Sequence, residues 1–584
     1  MTHTIIDRLF FHAENTPGKE VYRYLERGEQ VAATLAFAQL RTKAVGLSAG
    51  LLEAGHGKRD AALLLFSNPL EFVQGFLGCL AAGVTAVPVA VPSTKSVDTV
   101  ANICRNARVK CILAGQREKQ QLCAALEAKL GPIAWYSLDE LLAYGAASSF
   151  AARPDSLPGV TSDDIAFLQY TSGSTGTPKG VMVSHGNLMA NSAAIGKAMR
   201  MHRDTVFVSW LPHYHDMGLI GPMLQSIERG SETILMRPVD FVQKPVRWLQ
   251  AISKFGATVS GGPNFAYDLC VDKIGEEQKV GLDLSAWEVA FSGAEPVKAA
   301  TVARFADAFA PCKFKKTSIY PCYGMAESTL FISGEMAGAG PAILLFEPDT
   351  LGVGGEARLA EPGIATGVPF VSCGTAHDEA RVRIVHPETR TILSENHVGE
   401  IWVRSLSVAQ GYYENAEASS HAFAATIVGG NAEHYLRTGD LGTLHKGQLV
   451  ILGRIKDLLI VRGRNYYPQD IEATAQEVHA AMAPGGGAVF QLSSGDGRVA
   501  LVHEVAREFA RQGELERVAD QLAAAVREAV IERHGIALEK LVFIRPGHLP
   551  RTTSGKVRRN LCREMFERGE FASMGAAEQI DFQS

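Results

Sequence analysis

Eleven consecutive residues, Tyr170 to Gly180 (YTSGSTGTPKG), concentrate phosphate-binding chemistry in one place. They follow an apolar run, Ile165–Leu168, with the character of a strand. Small residues such as Gly173 and Gly176 leave backbone N–H groups exposed. The hydroxyls of Thr171, Ser172, Ser174, Thr175 and Thr177 add donors, and Lys179 adds a point charge. Gripping a polyphosphate takes such a set. The loop is not a Walker A sequence, because Pro178 precedes the lysine and neither Ser nor Thr follows it. Taken alone, a Ser/Thr/Gly surface turn is the alternative reading. A second cluster, His213-Tyr214-His215-Asp216, has the side chains of a metal pair. His-x-His at a strand end with one Asp is too little for zinc, and none is assigned.

The elements that must hold these groups are legible in outline. Helical spacing at Phe37–Gly55, Pro69–Ala82 and Ser96–Ala107 alternates with apolar runs at Asp60–Phe66, Thr85–Val91 and Val109–Ala114. The pattern returns at Thr205–Leu211, Thr233–Met236, Ala257–Ser260 and Val289–Ser292. Such strand–helix–strand repeats predict α/β architecture with doubly wound sheets. From about Glu335 to Gly374 the chain turns Gly- and Pro-rich, with one strand expected at Ala342–Phe346. Alternating runs at Ala380–Val385, Gly399–Ser405 and Gly447–Leu452 suggest a small β-rich subdomain. The stretch Gly453–Asp457 reads as a junction. Beyond it a compact α+β tail is expected, with strand Leu458–Val461, a helix from Pro468, and Arg507–His534 as a solvated amphipathic helix face.

Composition narrows the function classes. The 584 residues carry 57 basic and 62 acidic side chains, a net charge of −5, which disfavours a nucleic-acid binder. Nine cysteines without a CxxC pair read as reduced thiols of a cytoplasmic protein. Residues Met1–Glu20 lack the apolar core of a signal peptide. The uncharged run Phe72–Thr94 is broken by Gly75, Gly78, Gly83, Pro88 and Pro92, so it reads as buried helix and strand and not as a transmembrane segment.

The loop resembles the phosphate-binding signature of adenylate-forming enzymes, the superfamily of acyl-CoA synthetases, luciferases and peptide-synthetase adenylation domains. Further matches follow in family order: Tyr323-Gly324-Met325-Ala326-Glu327-Ser328, Thr438-Gly439-Asp440, Gly453-Arg454-Ile455-Lys456-Asp457 and Arg551-Thr552-Thr553-Ser554-Gly555-Lys556. Three stretches look like fatty acyl-AMP ligases: Trp210–Gly221, Gly261–Tyr267 and Ser292–Pro296. The 47 residues from Glu327 to Gly374 also exceed what CoA-ligase relatives use, about half as many, and resemble the insertion of acyl-AMP ligases that is thought to hinder CoA transfer.

The resemblance implies an N-terminal domain over 1–455, with the insertion at about 335–374, and a small mobile C-terminal lid domain over 456–584. It implies ATP and Mg²⁺ as cofactors. Lys556 would be the catalytic cation, reaching from the last domain to the reacting oxygens. Glu327 would hold Mg²⁺. His215 and Asp216 would sit beside the carboxylate and nucleotide. Asp440, helped by Arg454, would take the ribose hydroxyls. Ser292, Gly293, Ala294, Glu295 and Pro296, with Tyr323, Gly324, Met325, Ala326 and Ser328, would line the nucleotide. Asp216, Met217, Gly261, Gly262 and Phe265 are acyl-pocket candidates, since small residues after a strand can open a tunnel for an apolar chain. Lys456 falls at the hinge.

The implied reaction is ATP-dependent conversion of a fatty acid to an acyl-adenylate with release of pyrophosphate. Only 28 residues follow Lys556, so the acyl group would pass to an acyl carrier protein in trans, as in a polyketide or peptide synthase system. The alternative is an acyl-CoA synthetase. A non-catalytic scaffold is disfavoured, because Lys556, Glu327 and Asp440 are all present.

Overall fold

The computed structural model describes residues 4–93, 97–148, 158–171, 178–361, 367–430, 432–461, 464–493, 497–510, 514–552, 555–571 and 577–579. Two large sheets carry its first part. One has six strands in the order Ala134–Tyr136, Cys111–Ala114, Ala61–Leu65, Thr85–Pro88, Ile165–Thr171 and Lys179–Ser184. All its pairings are parallel except the last. The other has nine strands. Six of them, Ile319–Gly324, Val289–Ser292, Val259–Gly262, Val206–Ser209, Glu232–Leu235 and Glu20–Glu26, run parallel. Antiparallel partners close both edges.

The central parallel strands are mostly apolar because helices cover both faces. Ala61–Leu65 is buried at every position. The helix that follows it, Pro69–Ala82, shows why its boundaries are readable. Asn68 caps it through the Leu70 N–H, Pro69 opens it, and Gly83 ends it at φ 70°. Doubly wound sheets expose the carboxyl ends of their strands to ligands. The segments leaving those ends here are the loop after Thr171, the His213–Asp216 stretch after Ser209, Gly293–Pro296 after Ser292, and Met325–Glu327 after Gly324.

A four-stranded antiparallel sheet follows: Arg381–Val385, Gly399–Arg404, Leu436–His445 and Gln448–Arg454. The stretch expected to be loop-rich is better ordered than its composition suggests. Ile343–Phe346 pairs antiparallel with Val368–Val371, and a short 3₁₀ turn spans Pro348–Thr350. Phe346, Leu351 and Phe370 are buried with Val450 and Leu452, and with Tyr467 from beyond the junction. The Tyr467 hydroxyl donates to the Leu351 carbonyl at 3.1 Å. Residues 362–366 of this stretch lie outside the described residues.

The last part of the chain has its own apolar clusters, formed only by residues from Leu459 onward. Its sheet is Met482–Gln491, Val499–Val505, Leu538–Ile544 and Ala577–Gln579. The expected solvated helix begins later, at Glu514, after a 3₁₀ turn at Arg507–Phe509. It is not merely a solvated face: Leu522, Ala523, Val526 and Val530 pack into the core. Arg559 joins the segment carrying Lys556 to this body. Its guanidinium donates to both Glu472 oxygens (2.7 and 2.6 Å) and to Asp457 (3.1 Å) at the junction.

Burial in this lobe bears on the pH dependence of its stability. Asp470, in the first turn of helix Pro468–Glu477, is pushed by burial and by Glu472 to about 7, against the weaker pull of Lys298. Its ordinary value is 3.8. Between these values the folded chain holds a proton that the unfolded chain has released, so stability falls as pH rises through the window. Asp470→Asn removes that dependence. The variant is expected to match the wild type near the acid end of the window and to exceed it by roughly 1–3 kcal/mol above it, measured by urea unfolding across a pH series.

Candidate active site

A cleft of about 3350 Å³ separates the two large sheets and the antiparallel sheet from the last lobe. Thr171 and Lys179 enter it from the flanks of the phosphate loop. Ser172, Gly173, Ser174, Thr175, Gly176 and Thr177 lie outside the described residues. Residues 409–413 fasten the strand after this loop. Gln410 N–H donates to Met182 O, and Met182 N–H returns to Gly411 O. Ala409 N–H donates to Glu327 O. Tyr412, which motif reading missed, stands between the two motifs. Its hydroxyl donates to Glu327 Oε1 at 2.9 Å, and the Lys179 ammonium sits 4.9 Å from its ring centroid.

Glu327 is positioned by strain and by hydrogen bonds. Two residues on, Thr329 adopts φ 65° and ψ −61°, with Leu330 N–H bonded back to Ser328 O at 2.7 Å. This is a γ-turn, a strained conformation costing about 1–3 kcal/mol. Thr329 is fixed by its hydroxyl bond to Ser407 O, and Phe331 by reciprocal bonds with the Asn191 amide. Burial and the nearby Asp216 raise the Glu327 pKa, opposed by Tyr412 and Arg454. Among the described residues no cation forms an ion pair with it. A cleft carboxylate without an ion-pair partner among the described residues suits a hard divalent ion, which needs few protein oxygens when phosphates and waters supply the rest.

Asp440 and Arg454 are cross-strand partners in the antiparallel sheet, although they lie far from Glu327 in sequence. Arg454 Nε is 3.4 Å from Asp440 Oδ1, and the Tyr323 hydroxyl donates to Asp440 Oδ2 at 2.7 Å. The Thr-Gly-Asp turn rests on a residue that no motif flagged. Glu400, 2 % exposed, accepts from Arg437 (2.7 and 3.0 Å), from Trp402 Nε1 (2.9 Å) and from Gly439 N–H (3.1 Å). Gly439 takes φ 72°, a conformation that suits glycine.

His215 and Asp216 face the cleft, with His215 Nδ1 2.5 Å from Asp216 Oδ1. Burial pushes the Asp216 pKa up, but His215, Lys556 and the Met217 N–H together hold it below its ordinary value. His213 points elsewhere: its Nε2–H donates to the Phe66 carbonyl at 2.8 Å, and burial pushes its pKa down to about 4. Ala294, Glu295 and Pro296 line the cleft, as do Tyr323, Gly324, Met325 and Ala326. Ala294 is held at φ 72°. Glu295 accepts the Asn264 N–H at 3.0 Å.

Lys556 enters from the last lobe. Burial and Arg454 lower its pKa, while Asp216, Glu295 and Asp440 raise it. Its electrostatic neighbours are therefore the residues the sequence motifs singled out. Lys456 is also at the cleft, its pKa lowered by burial, Lys179 and Arg454.

Some candidates fall elsewhere. Ser292, Gly293 and Ser328 lie behind the cleft wall. Gly261 and Gly262 do not open a tunnel. A Cβ on Gly261 would meet the Phe291 carbonyl at 2.1 Å, and one on Gly262 would meet Trp210 at 2.6 Å, so both serve close packing. Of the acyl-pocket candidates, Asp216, Met217 and Phe265 reach the cleft.

Residues 9–413 match the family of the AMP-binding enzyme, and 456–575 match the Disco-interacting protein 2-like AMP domain. The medium-chain-fatty-acid–[acyl-carrier-protein] ligase JamA of Moorena producens is 35 % identical, over 97 % of this chain and 95 % of its own. The corresponding ligase TtuA of Teredinibacter turnerae is 37 % identical, over 96 % and 93 %. The structure of the fatty acyl-adenylate ligase from L. pneumophila in complex with acyl adenylate and pyrophosphate superposes with a TM-score of 0.74 at 37 % identity, covering 97 % of this chain and 96 % of that one. With the five motifs in order and this likeness along nearly its whole length, the chain belongs to the AMP-binding enzymes, within their fatty acyl-AMP ligase branch.

Proposed function

We propose that the chain activates a fatty acid with ATP, forms the acyl-adenylate, releases pyrophosphate and hands the acyl group to a carrier protein in trans. The observation that carries this reading is the position of Lys556 among Asp216, Glu295, Arg454 and Asp440, in the cleft that Thr171 and Lys179 also face.

A carboxylate oxygen attacks the α-phosphorus of ATP, the new P–O bond forms, and the bond to pyrophosphate breaks. Charge crowds onto the phosphate oxygens, so positioning and electrostatic stabilisation are the protein's means. Lys556 stabilises charge on the reacting oxygens, and Lys179 on the departing phosphates. Asp440 accepts hydrogen bonds from the ribose hydroxyls with its carboxylate steadied by Tyr323 and Arg454. Ala294, Glu295 and Pro296 with Tyr323 and Gly324 line the base. His215 and Asp216 orient the acid's carboxylate end. Mg²⁺ bound at Glu327 would neutralise phosphate charge and order the triphosphate.

Residues 456–584 form the moving lobe in this reading, with Lys456 at its hinge. Their separate apolar clusters support it. The bond from Tyr467 to Leu351 and the burial of Tyr467 against the insertion oppose that movement, in keeping with the hindrance to CoA transfer that the resemblance to acyl-AMP ligases implies. A reducing, cytoplasmic setting suits nine unpaired cysteines. Among the described residues no helix is long and apolar enough to cross a membrane.

Mass spectrometry of the protein with ATP, Mg²⁺, mixed fatty acids and CoA is expected to show acyl-AMP without matching acyl-CoA. Acyl-CoA formed as fast as acyl-AMP would turn the assignment to a CoA ligase. Lys556→Ala is expected to slow pyrophosphate release about 100–1000-fold, and equal rates would remove Lys556 from the chemistry. Glu400→Gln leaves Arg437 without its carboxylate and loosens the turn that carries Asp440. It is expected to lower stability by about 3 kcal/mol and to raise the KM for ATP more than it lowers kcat, read by urea unfolding and steady-state kinetics.

A further inference from the structure

The cleft does not end at the reacting groups. The same cavity continues as an apolar channel walled by Ile195 and Met199 at the end of helix His185–Ala198, by Phe207, and by Phe291 and Phe331. Phe207 lies two residues below Ser209, the last residue of its parallel strand, so the channel descends about 7 Å beneath the sheet edge. A π-helical turn, Leu219–Leu224, continues directly from the short helix Asp216–Gly218 and adds Gly221 to the lining. Such turns are rare and gather at functional sites.

Gly221 sits in this turn and lines the cavity. A Cβ built on it would meet nothing within 4 Å. Its neighbour Gly218 is the contrast, since a Cβ there would come within 2.1 Å of the Pro212 carbonyl. Packing requires glycine at 218 and does not require it at 221, and Gly221 is not among the positive-φ residues. Glycine inside a helix is destabilising relative to alanine. The bare backbone at 221 therefore leaves space for something that is not protein. The turn is also held rigidly. Pro222 O accepts the hydroxyls of Ser226 (3.0 Å) and Thr233 (2.9 Å), and Met223 O accepts the Tyr22 hydroxyl (2.7 Å). These bonds occupy carbonyls freed by the wide turn and fix where Gly221 faces.

We propose that Gly221 sets the acyl-chain length the protein accepts: its missing side chain is the opening through which the middle of a medium or longer fatty acyl chain passes toward Phe207, Ile195 and Met199. The inference rests on the acyl-adenylate reading above and adds the residue that decides chain length. Gly221 is five residues beyond Asp216, about 7 Å along the helix. A side chain there meets mid-chain carbons and spares the carboxylate, so short acids escape its effect.

The test is ATP-dependent pyrophosphate release with butyric, hexanoic, octanoic, decanoic and dodecanoic acids, comparing wild type, Gly221→Ala and Gly221→Leu. The variants are expected to fold, because the added atoms point into open space; hexanoate turnover serves as the control. Gly221→Leu is expected to lower kcat/KM for dodecanoate on the order of 100-fold relative to hexanoate, the effect of excluding three or four methylenes, with Gly221→Ala intermediate. An unchanged length profile in Gly221→Leu overturns the inference. So does an equal loss at every length in a variant whose circular dichroism matches the wild type. Wild-type protein that activates no acid overturns the parent reading, and that result is separate because it appears before any substitution is compared.

Discussion

Confined positive charge is the constraint on which this site depends. Lys179, Arg454, Lys456 and Lys556 share one cleft, and burial together with neighbouring cations makes Lys456 and Lys556 release their protons more readily than usual. Asp216, Glu295 and Asp440 offset part of that repulsion. A polyanion that enters the cleft relieves the rest, and does so where low dielectric makes each interaction strong. The same crowding that is unfavourable in the empty protein thus becomes selectivity for a nucleotide triphosphate over a neutral ligand.

Much of the architecture serves to keep those charges in register. Parallel strands of two sheets deliver four separate segments to one cleft, and the antiparallel sheet sets Asp440 opposite Arg454 by strand pairing alone. Strain marks the positions where the chain turns into the cleft: Ala294 and Thr329 both hold positive φ, and each is followed by residues that line it or support it. Glu400 and Tyr412 perform the quieter work of fixing a turn and tying Lys179 to Glu327. Arg559 extends this to the last lobe, linking the lysine segment to the junction at Asp457 and to the helix bearing Glu472.

Periodicity made the central strands of the two large sheets legible because they are mostly apolar and their helices carry strong end signals, as at Asn68, Pro69 and Gly83; the charged strand Glu20–Glu26 and its exposed partner Gln30–Ala36 gave no such pattern. Motif order identified Glu327, Asp440, Arg454 and Lys556. It did not separate residues that line the cleft from those that shape its wall, so Gly261, Gly262 and Gly293 looked functional where close neighbours leave no room for a side chain. The Glu335–Gly374 stretch looked irregular because Gly and Pro mask a two-stranded pairing whose partners are far apart. Glu400 and Tyr412 carried no local signal at all, and Gly221 lay inside the family-like stretch Trp210–Gly221 with no separate role of its own. Their significance comes from what lies across space: a turn, a lysine, and an open channel.

In the proposed reaction one continuous cavity holds nucleotide, reacting phosphate and acyl chain together, with Lys556 where they meet. The most direct measurement is a crystal structure with a hydrolysis-resistant decanoyl-sulfamoyl adenosine. The account expects the ribose hydroxyls on Asp440, the sulfamate beside Lys556, and the chain running past Gly221 toward Phe207. A nucleotide bound away from Asp440, or an acyl chain leaving the cleft by another route, would contradict it.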